Sequence, residues 1–174
     1  MRLVRYGGAM SLDGYIAGPN GEYDWIVQDP DMSFATMMAE FDTFLIGRKT
    51  WDVMVKARRT RPPKGIEYVV FSKTLKAGDH PQLRIEPDAE QVVQELSQKP
   101  GKDIALFGGG ELFRTLLKAG LVDRIEVSVV PVLLGGGIQL LPAPANQAKL
   151  RLLQQRLYPK TGLVRMEYEI LRGS

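Results

Sequence analysis

Three short segments of this 174-residue chain carry residue types that bind phosphate, and each follows an apolar run. They are Gly47-Arg48-Lys49-Thr50, Ser72-Lys73-Thr74 and the triple glycine of residues 108–110. Backbone amides at a glycine-rich helix start can bind a pyrophosphate, assisted by the helix dipole. Arginine and lysine side chains can neutralise further phosphate charge, such as that of a ribose 2′-phosphate. The combination predicts a nucleotide-binding site.

Each of these segments also has a simpler interpretation when it is taken alone. The glycine run fits a tight turn, Gly-Arg-Lys-Thr fits a solvated helix start, and Ser-Lys-Thr fits a plain turn. The run also departs from the Gly-x-Gly-x-x-Gly fingerprint of dinucleotide-binding domains, because Phe113 stands where the third glycine belongs. The nucleotide prediction therefore depends on the three segments meeting in space.

Composition excludes several kinds of chemistry. Cysteine is absent, and histidine occurs once, at His80 in a Gly-Asp-His-Pro stretch that is typical of a turn. A cysteine nucleophile, a disulfide framework and a Cys/His metal site are therefore excluded, and no metal is expected. The basic stretch at residues 56–64 has no interleaved aromatic side chains, so we interpret it as a solvated loop and expect no nucleic-acid partner.

The balance of residue types is that of a soluble globular domain, with 44% hydrophobic and 25% charged residues. The 23 basic and 20 acidic residues give a net charge of +3, which is only mildly basic. No segment has the length of a membrane span, and the first residues lack the apolar core of a signal peptide. We expect a cytoplasmic protein with no membrane partner.

Strand and helix patterns alternate through most of the chain. Apolar runs predict strands at residues 3–10, 43–46, 67–71, 82–85, 103–107 and 125–130. Helical periodicity predicts a helix of about ten residues from Phe34, with Phe34, Met37, Met38 and Phe41 as its apolar stripe and Ser33 as its cap. A second helix is predicted over residues 49–55, with Trp51 and Val55 on one face. Further helices are predicted over residues 88–98, with Asp88 and Gln91 as a capping box, and from Glu111 to a stop at Gly120.

Strands that alternate with helices predict a mostly parallel sheet covered on both faces. Two further runs without an intervening helix end the chain and predict antiparallel edge strands. The expected fold is a single-domain α/β protein with three α/β/α layers over residues 1–174. Ligands bind at the carboxyl ends of the strands in such sheets, where the three phosphate-binding segments fall. Two long turn-rich loops, residues 11–31 and 131–146, are expected to carry function.

Taken together and in order, the motifs resemble those of the dihydrofolate reductase-like superfamily. They are most similar to its branch related to the reductase domain of the bifunctional riboflavin-biosynthesis deaminase–reductase. The matching segments span nearly the whole chain: Ser-Leu-Asp-Gly-Tyr-Ile-Ala from residue 11, Gly-Arg-Lys-Thr-Trp from residue 47, Tyr-Val-Val-Phe-Ser-Lys-Thr from residue 68, Leu-Phe-Gly-Gly-Gly-Glu-Leu from residue 106, Asp-Arg-Ile from residue 123 and Pro-Val-Leu-Leu-Gly-Gly-Gly from residue 131.

The resemblance implies NADPH-dependent hydride transfer to a small pyrimidine- or pteridine-like heterocycle. It assigns cofactor-binding roles to three groups of residues: Ala9, Ile16 and Ala17 at the nicotinamide; Gly47, Arg48, Lys49, Thr50, Ser72 and Lys73 at the adenosine phosphate; and Gly108, Gly109, Gly110, Glu111 and Leu112 at the pyrophosphate. It also implies a cis peptide between Gly108 and Gly109, and association into a homodimer.

The substrate half of the site follows from the same resemblance and from the chemistry. Hydride transfer to a C=N bond needs a proton source at nitrogen. The resemblance places a carboxylate at the start of the first helix, which assigns this role to Asp31, with Asp29 and Asp24 as alternatives. Trp25 would then cover the site, and Phe34 and Met38 would form its wall.

Other interpretations of these residues and of the chain stay open at this point. Asp31 also fits a helix cap, and Phe34 and Met38 also fit plain core. The first loop lacks the Pro-Trp and Leu-Pro pattern of the folate enzymes, which argues against a folate substrate. A true dihydrofolate reductase is therefore the alternative enzyme function and not the favoured one. A non-catalytic nucleotide-binding module is the other alternative.

Overall fold

The computed structural model describes residues 1–172 of the chain. It contains ten strands and four α-helices: β1 (Val4–Ser11), β2 (Tyr15–Ala17), α1 (Phe34–Met38), β3 (Phe41–Gly47), α2 (Arg48–Lys56), β4 (Glu67–Phe71), β5 (Arg84–Glu86), α3 (Ala89–Gln98), β6 (Asp103–Gly108), α4 (Gly110–Lys118), β7 (Arg124–Val130), β8 (Ile138–Gln139), β9 (Lys149–Tyr158) and β10 (Leu163–Leu171). A short 3₁₀ turn, Ala77–Asp79, lies between β4 and β5.

Eight of the strands form one mixed sheet in the order β5-β4-β3-β6-β1-β7-β10-β9. The six strands from β5 to β7 are parallel. The last two strands of the chain run antiparallel, β10 against β7 and β9 against β10. The predicted fold class, a mostly parallel sheet with antiparallel strands at its C-terminal end, is confirmed.

Side chains of alternate residues on the central strands pack into two separate buried clusters, one on each face of the sheet. On β4, Val69 and Phe71 join the larger cluster, which also contains the apolar residues of α3 and α4. Tyr68 and Val70 join the smaller cluster, against Trp51 of α2. This alternation follows from the two-residue repeat of a strand, and it produces the three layers.

Local signals in the sequence set the ends of two helices as expected. The side chain of Asp88 caps α3 by accepting the amide N–H groups of Glu90 and Gln91 at 3.0 and 3.2 Å. Gly120 follows α4 with a φ of 68°. Glycine adopts this left-handed conformation without strain, and α4 ends at Lys118, two residues before it.

The predicted length of the first helix is wrong. Helix α1 has five residues, none of them buried, although Ser33 caps it as expected. Phe41, taken as the last member of the helical stripe, begins β3 and pairs with Asp103 of the central strand β6. Backbone pairing with β6 therefore ends the helical segment earlier than the apolar spacing predicts.

The inward face of α2 also differs from the expectation that Trp51 and Val55 share one side. Trp51 and Met54 are buried, whereas Val55 is 44% exposed. Among residues 1–172, no helix is long and apolar enough to cross a membrane.

Candidate functional site

The ends of β3 and β6 meet α2 at very close range. A Cβ atom added to Gly108 would lie 2.8 Å from Thr50 Cγ2 and 3.0 Å from its Oγ1. One added to Gly47 would lie 3.3 Å from the carbonyl oxygen of Gly108. The glycines at these two positions therefore allow the carboxyl ends of two neighbouring strands and the first turn of α2 to come together.

Helix α4 begins directly at this junction. Gly109 precedes it with a φ of 96°, and no side chain caps the helix. The first amide groups of α4 and the positive end of its dipole therefore lie at the same edge of the sheet. Leu112 is buried in the core, while Glu111 is exposed.

The expected cis peptide between Gly108 and Gly109 is wrong. Within residues 1–172 the cis peptide bond lies at Ala143–Pro144 instead. The positive φ of Gly109 turns the chain into α4 with a trans bond before it, because glycine has no Cβ to oppose that conformation.

Basic side chains surround this glycine junction. The Arg48 guanidinium donates to both carboxylate oxygens of Asp52, at 2.9 and 3.1 Å, and to Thr74 Oγ1 at 2.9 Å. Lys49 Nζ lies 3.0 Å from Glu111 Oε1 in an exposed ion pair. Exposed pairs of this kind hold their side chains weakly, so Lys49 is available to a ligand.

The turn after β4 completes the cationic side of the junction. Ser72 Oγ accepts the amide N–H groups of Thr74 and Leu75 at 3.2 and 3.1 Å. Its hydroxyl therefore shapes the turn, and Lys73 is left exposed beside Thr74. Arg48 and Lys73 consequently lie on neighbouring turns, joined by the contact of Arg48 with Thr74.

Strand β1 leaves open space at its carboxyl end. Gly8 is exposed although β1 lies inside the sheet, and a Cβ there would meet no atom within 4 Å. The next residue, Ala9, is paired with Ser128 of β7. Four partly buried side chains pack against a small buried cluster at this end of the sheet: Ala9, Trp25, Met32 and Val132. The structure therefore brings the predicted nicotinamide residue Ala9 and the predicted cover Trp25 to one place.

The two long loops contact each other through strand pairing and through hydrogen bonds to Asp13. Ile16 and Ala17 belong to β2, which pairs with β8 in the second loop. Asp13 accepts hydrogen bonds from the Ser11 hydroxyl at 2.6 Å and from the amides of Leu134 and Gly135 at 3.1 and 2.7 Å. Led by the bond from Ser11, these contacts outweigh desolvation and hold the pKa of Asp13 below its ordinary value.

The second loop also reaches the glycine junction. A Cβ on Gly110 would lie 2.8 Å from the carbonyl oxygen of Gln139 and 2.9 Å from Pro142 Cδ. Residues 137–142 are therefore packed between β2 and the start of α4. The sequence identified both loops as functional candidates, but their contact with one another had no local signal.

The three candidate carboxylates have different surroundings. Asp29 is buried, and its oxygens accept the Asp31 amide N–H at 2.9 Å and the Thr161 hydroxyl at 2.7 Å. Burial acts to raise the pKa of Asp29, but these bonds and the charge of Lys160 outweigh it, so the pKa is lowered. Asp24 lies exposed in the loop.

Asp31 is exposed and forms an ion pair with Lys160 on the turn between β9 and β10, Oδ1 to Nζ 3.0 Å. It does not cap α1, because Ser33 Oγ accepts the Thr36 amide instead. The interpretation of Asp31 as a helix cap is therefore wrong. Lys160 escaped the sequence analysis because it lies 129 residues from Asp31 and belongs to no recognisable motif.

The predicted pocket wall divides into one exposed and one partly buried side chain. Phe34 is 53% exposed, whereas Met38 packs against the cluster around Trp51. A further aromatic residue, Phe107, is 38% exposed although it belongs to the central strand β6. Its ring centroid lies 5.5 Å from that of Phe44. Phe107 was missed as a site residue because an apolar residue in a central strand predicts burial.

The sheet order and the edge where its loops converge define a dihydrofolate reductase-like α/β protein. The chain belongs to the RibD C-terminal domain family, whose model matches residues 2–162. It is 34% identical over 171 residues to the uncharacterized protein YyaP of Bacillus subtilis, with 92% of this chain and 90% of that protein covered.

Two solved structures share the fold at lower identity. A diaminohydroxyphosphoribosylaminopyrimidine deaminase/5-amino-6-(5-phosphoribosylamino)uracil reductase from Thermotoga maritima is 16% identical, with a TM-score of 0.71 over 98% of this chain and 57% of that chain. A dihydrofolate reductase from Enterococcus faecalis, complexed with NADP(H), is 14% identical, with a TM-score of 0.72 over 98% of this chain and 97% of that chain.

Proposed function

We propose that this protein is an NADPH-dependent reductase that transfers hydride to a pyrimidine- or pteridine-like heterocycle. The observation that carries the proposal is the junction of Gly47, Thr50 and Gly108, where the start of α4 lies close to the first turn of α2. Membership of the RibD C-terminal domain family supports it, as do two proteins of the same fold that are both named reductases.

The glycine junction fits a dinucleotide. Gly108 and Gly109 present bare backbone, and α4 offers amide donors that no side chain caps. In this proposal residues 108–112 hold the pyrophosphate, and Arg48, Lys49 and Lys73 hold the phosphate on the adenosine ribose. Ala9, Ile16 and Ala17 face the nicotinamide. When bound, NADPH supplies the hydride.

The proton has a separate source in this proposal. Reduction of a C=N bond adds hydride at carbon, and the nitrogen must then gain a proton. Asp29 is unsuited to deliver it, because its two oxygens already accept the Asp31 amide and the Thr161 hydroxyl. We assign delivery of the proton to Asp31, whose exposed carboxylate takes a proton from solvent and passes it to the substrate nitrogen, and which the ion pair with Lys160 positions.

Aromatic and thioether side chains form the proposed heterocycle site. Phe34 and Phe107 expose ring surface, and stacking on such rings favours a flat heterocycle. Trp25 covers the site from the first loop, where its indole N–H donates to the Glu22 carbonyl at 3.1 Å. Met38, the last residue of α1, completes the wall.

Titration of the purified protein with NADPH and NADH tests the cofactor half directly, with tryptophan fluorescence as the signal. Trp25 packs against the same buried cluster as Ala9, and Trp51 follows Thr50 in the sequence, so both tryptophans report on the proposed site. We expect quenching that is much stronger for NADPH than for NADH. Absence of binding to both would contradict the proposal and favour a non-catalytic module.

The substrate half needs its own assay. NADPH oxidation is followed with pterins, dihydrofolate and ribosylaminopyrimidines as candidate substrates. We expect turnover with a pyrimidine or pterin. Turnover confined to dihydrofolate, whose ring is itself a pteridine, would make the protein a dihydrofolate reductase. NADPH binding without turnover of any of these candidates would contradict the proposal.

A further inference from the structure

Arg165 lies on the same face of the sheet as Ala9 of the proposed site. Ala9 on β1 pairs with Ser128 on β7, and Ser128 pairs with Arg165 on β10. Residues in register on neighbouring strands point to the same side of a sheet. Val127 and Met166, the neighbours of these residues in sequence, pack with the buried cluster of α3 and α4 on the other side. Ala9, Ser128 and Arg165 therefore form one row across three strands, on the face away from those helices.

A buried carboxylate holds the guanidinium of Arg165. Glu126 is buried on β7, and its Oε2 accepts Nη2 of Arg165 at 2.6 Å. Its other oxygen accepts Nε of Arg5, a buried residue of β1. Arg5 is fixed in turn by Glu40 and Asp103, at 2.6 and 3.1 Å. The carboxylate of Glu126 therefore lies between β1 and β10, and it draws the guanidinium of Arg165 toward β1.

The rest of this guanidinium is free to bind a ligand. The side chain of Arg165 is 25% exposed, and within residues 1–172 its hydrogen bond goes to Glu126. No buried side-chain nitrogen in that part of the chain lacks a partner, so Nε and Nη1 of Arg165 must be accessible. A guanidinium offers N–H groups on several sides. Arg165 is therefore fixed at one nitrogen and can donate from the others to an acceptor oxygen.

The sheet surface between Ala9 and Arg165 is open. Among residues 1–172, a Cβ on Gly7 would meet only the carbonyl oxygen of Glu126 within 4 Å, at 3.7 Å. Ser128, in the row itself, is half-buried. Neighbouring strands lie about 4.8 Å apart, so the backbones of Ala9 and Arg165 are about 10 Å apart. In the proposed function the ring that receives hydride lies beside Ala9, and its far edge then faces the guanidinium.

The charge around Arg165 indicates which group of a ligand it would bind. The cluster joins two guanidinium groups to three carboxylates: Arg5 and Arg165 to Glu40, Asp103 and Glu126. The carboxylates outnumber the cations, so the cluster has no excess positive charge to offset a phosphate or a carboxylate of a ligand. A neutral carbonyl oxygen needs only a donor, and Arg165 supplies one.

We propose that Arg165 donates a hydrogen bond to a ring carbonyl oxygen of the substrate, and that Glu126 is the positioning residue that holds it. The substrate class of the proposed function, on which this assignment rests, thereby narrows to rings that carry a carbonyl group. Hydride addition to a C=N bond moves the π-electron pair onto nitrogen, which Asp31 protonates. A carbonyl conjugated with that nitrogen takes up part of the charge, and the guanidinium stabilises it there.

Calorimetric titration of the full-length protein, in the presence of NADP⁺, tests the contact. The ligands are pterin and the analogue in which an amino group replaces its ring carbonyl. In Arg165→Gln the preference for pterin should fall roughly 10-fold or more, because a hydrogen bond to a charged donor is lost. Arg165→Lys keeps the charge beside Glu126 but loses the planar fork, so its preference should fall in part. The change in preference isolates the contact, since general effects on folding alter both affinities alike.

Arg156→Gln is the matched control. Arg156 lies directly opposite Arg165 on β9, and its guanidinium carbon is 4.7 Å from the centroid of the Tyr158 ring. The substitution removes the same charge one strand away, and the preference for pterin should stay. Glu126→Gln tests the positioning role, because it keeps an acceptor oxygen but removes the charge that holds Arg165. We expect a smaller fall in preference than in Arg165→Gln, and an unchanged preference would overturn that role.

Three results would overturn the contact itself: an unchanged preference in Arg165→Gln, an equal fall in Arg156→Gln, and failure of both pteridines to bind the wild-type protein. The assay of NADPH oxidation separates this assignment from the proposed function. Pterin binding that depends on Arg165, without turnover of any candidate, would contradict the reductase and leave the contact in place. Turnover with a preference independent of Arg165 would do the reverse.

Discussion

The carboxylate of Asp13 accepts the amide N–H of Gly135 at 2.7 Å and thereby joins residues 122 positions apart. A second bond to the Leu134 amide and the pairing of β2 with β8 reinforce the connection. The two long loops therefore form one structural unit above the carboxyl edge of the sheet. A ligand at the glycine junction is bounded by that unit, since Gly110 packs against it.

Asp13→Ala should detach the second loop from the first. Two amides lose their acceptor, and we expect faster amide hydrogen exchange over residues 131–139 and a lower thermal midpoint. Asp13→Asn, which keeps one side-chain acceptor, should give a smaller effect. Unchanged exchange in Asp13→Ala would show that the β2–β8 pairing alone holds the loops together.

The same carboxylate predicts a pH dependence of stability. Its pKa is lower in the folded protein than its ordinary value of 3.8, mainly through the Ser11 hydrogen bond. Its contribution to the free energy of unfolding is therefore fully present above pH 3.8 and is lost as the pH falls through the folded pKa. We expect the thermal midpoints of wild type and Asp13→Ala, measured between about pH 6 and about pH 2, to converge at the acid end, below the ordinary pKa of 3.8. A constant difference between the two proteins would contradict this.

Arg48→Ala and Lys73→Ala test the phosphate on the adenosine ribose. Loss of one charge-assisted contact should weaken NADPH binding by about 10-fold or more, while NADH, which lacks that phosphate, changes little. Arg156→Ala on β9 is the matched control. The measurement is the fluorescence titration with both cofactors, and an equal loss for NADPH and NADH would contradict the assignment.

Gly108→Ala should disturb the junction itself. Its Cβ would lie 2.8 Å from Thr50 Cγ2, so we expect a loss of about 1–3 kcal/mol in the free energy of unfolding. Gly136→Ala is the control, because a Cβ there meets nothing within 4 Å. Thr50→Ser removes Cγ2, and in combination with Gly108→Ala it should recover part of the loss in urea unfolding. Equal stability of the two alanine variants would contradict the close contact.

Asp31→Asn tests the proposed proton source. Turnover should fall roughly 100-fold while NADPH affinity stays nearly unchanged, because the carboxylate acts on the substrate nitrogen. Lys160→Gln should reduce turnover less and shift its pH profile, since Lys160 positions Asp31. Asp24→Asn is the control. A variant Asp31→Asn that loses cofactor affinity but not turnover would assign Asp31 a structural role.

Much of the fold was predictable because its determinants are local. The apolar run at residues 67–71 predicted β4 over Glu67–Phe71, the bounds that the structure shows. Asp88 and Gly120 marked the ends of α3 and α4, because capping and left-handed turns depend only on neighbouring residues. The same local signals placed the three segments predicted to bind phosphate, residues 47–50, 72–74 and 108–110, at strand ends. The parallel order of the strands then brought these segments to one edge of the sheet.

Other features were decided only by the tertiary structure. The apolar spacing of α1 was helical, but Phe41 entered β3 because pairing with β6 satisfied its backbone. The ion pair of Asp31 with Lys160 and the bond of Asp13 with Gly135 join segments more than 120 residues apart. Periodicity within a segment determines which face it buries, but it carries no information about which distant segment meets that face. The exposure of Phe107 has the same origin, since only the complete fold shows where its layers end.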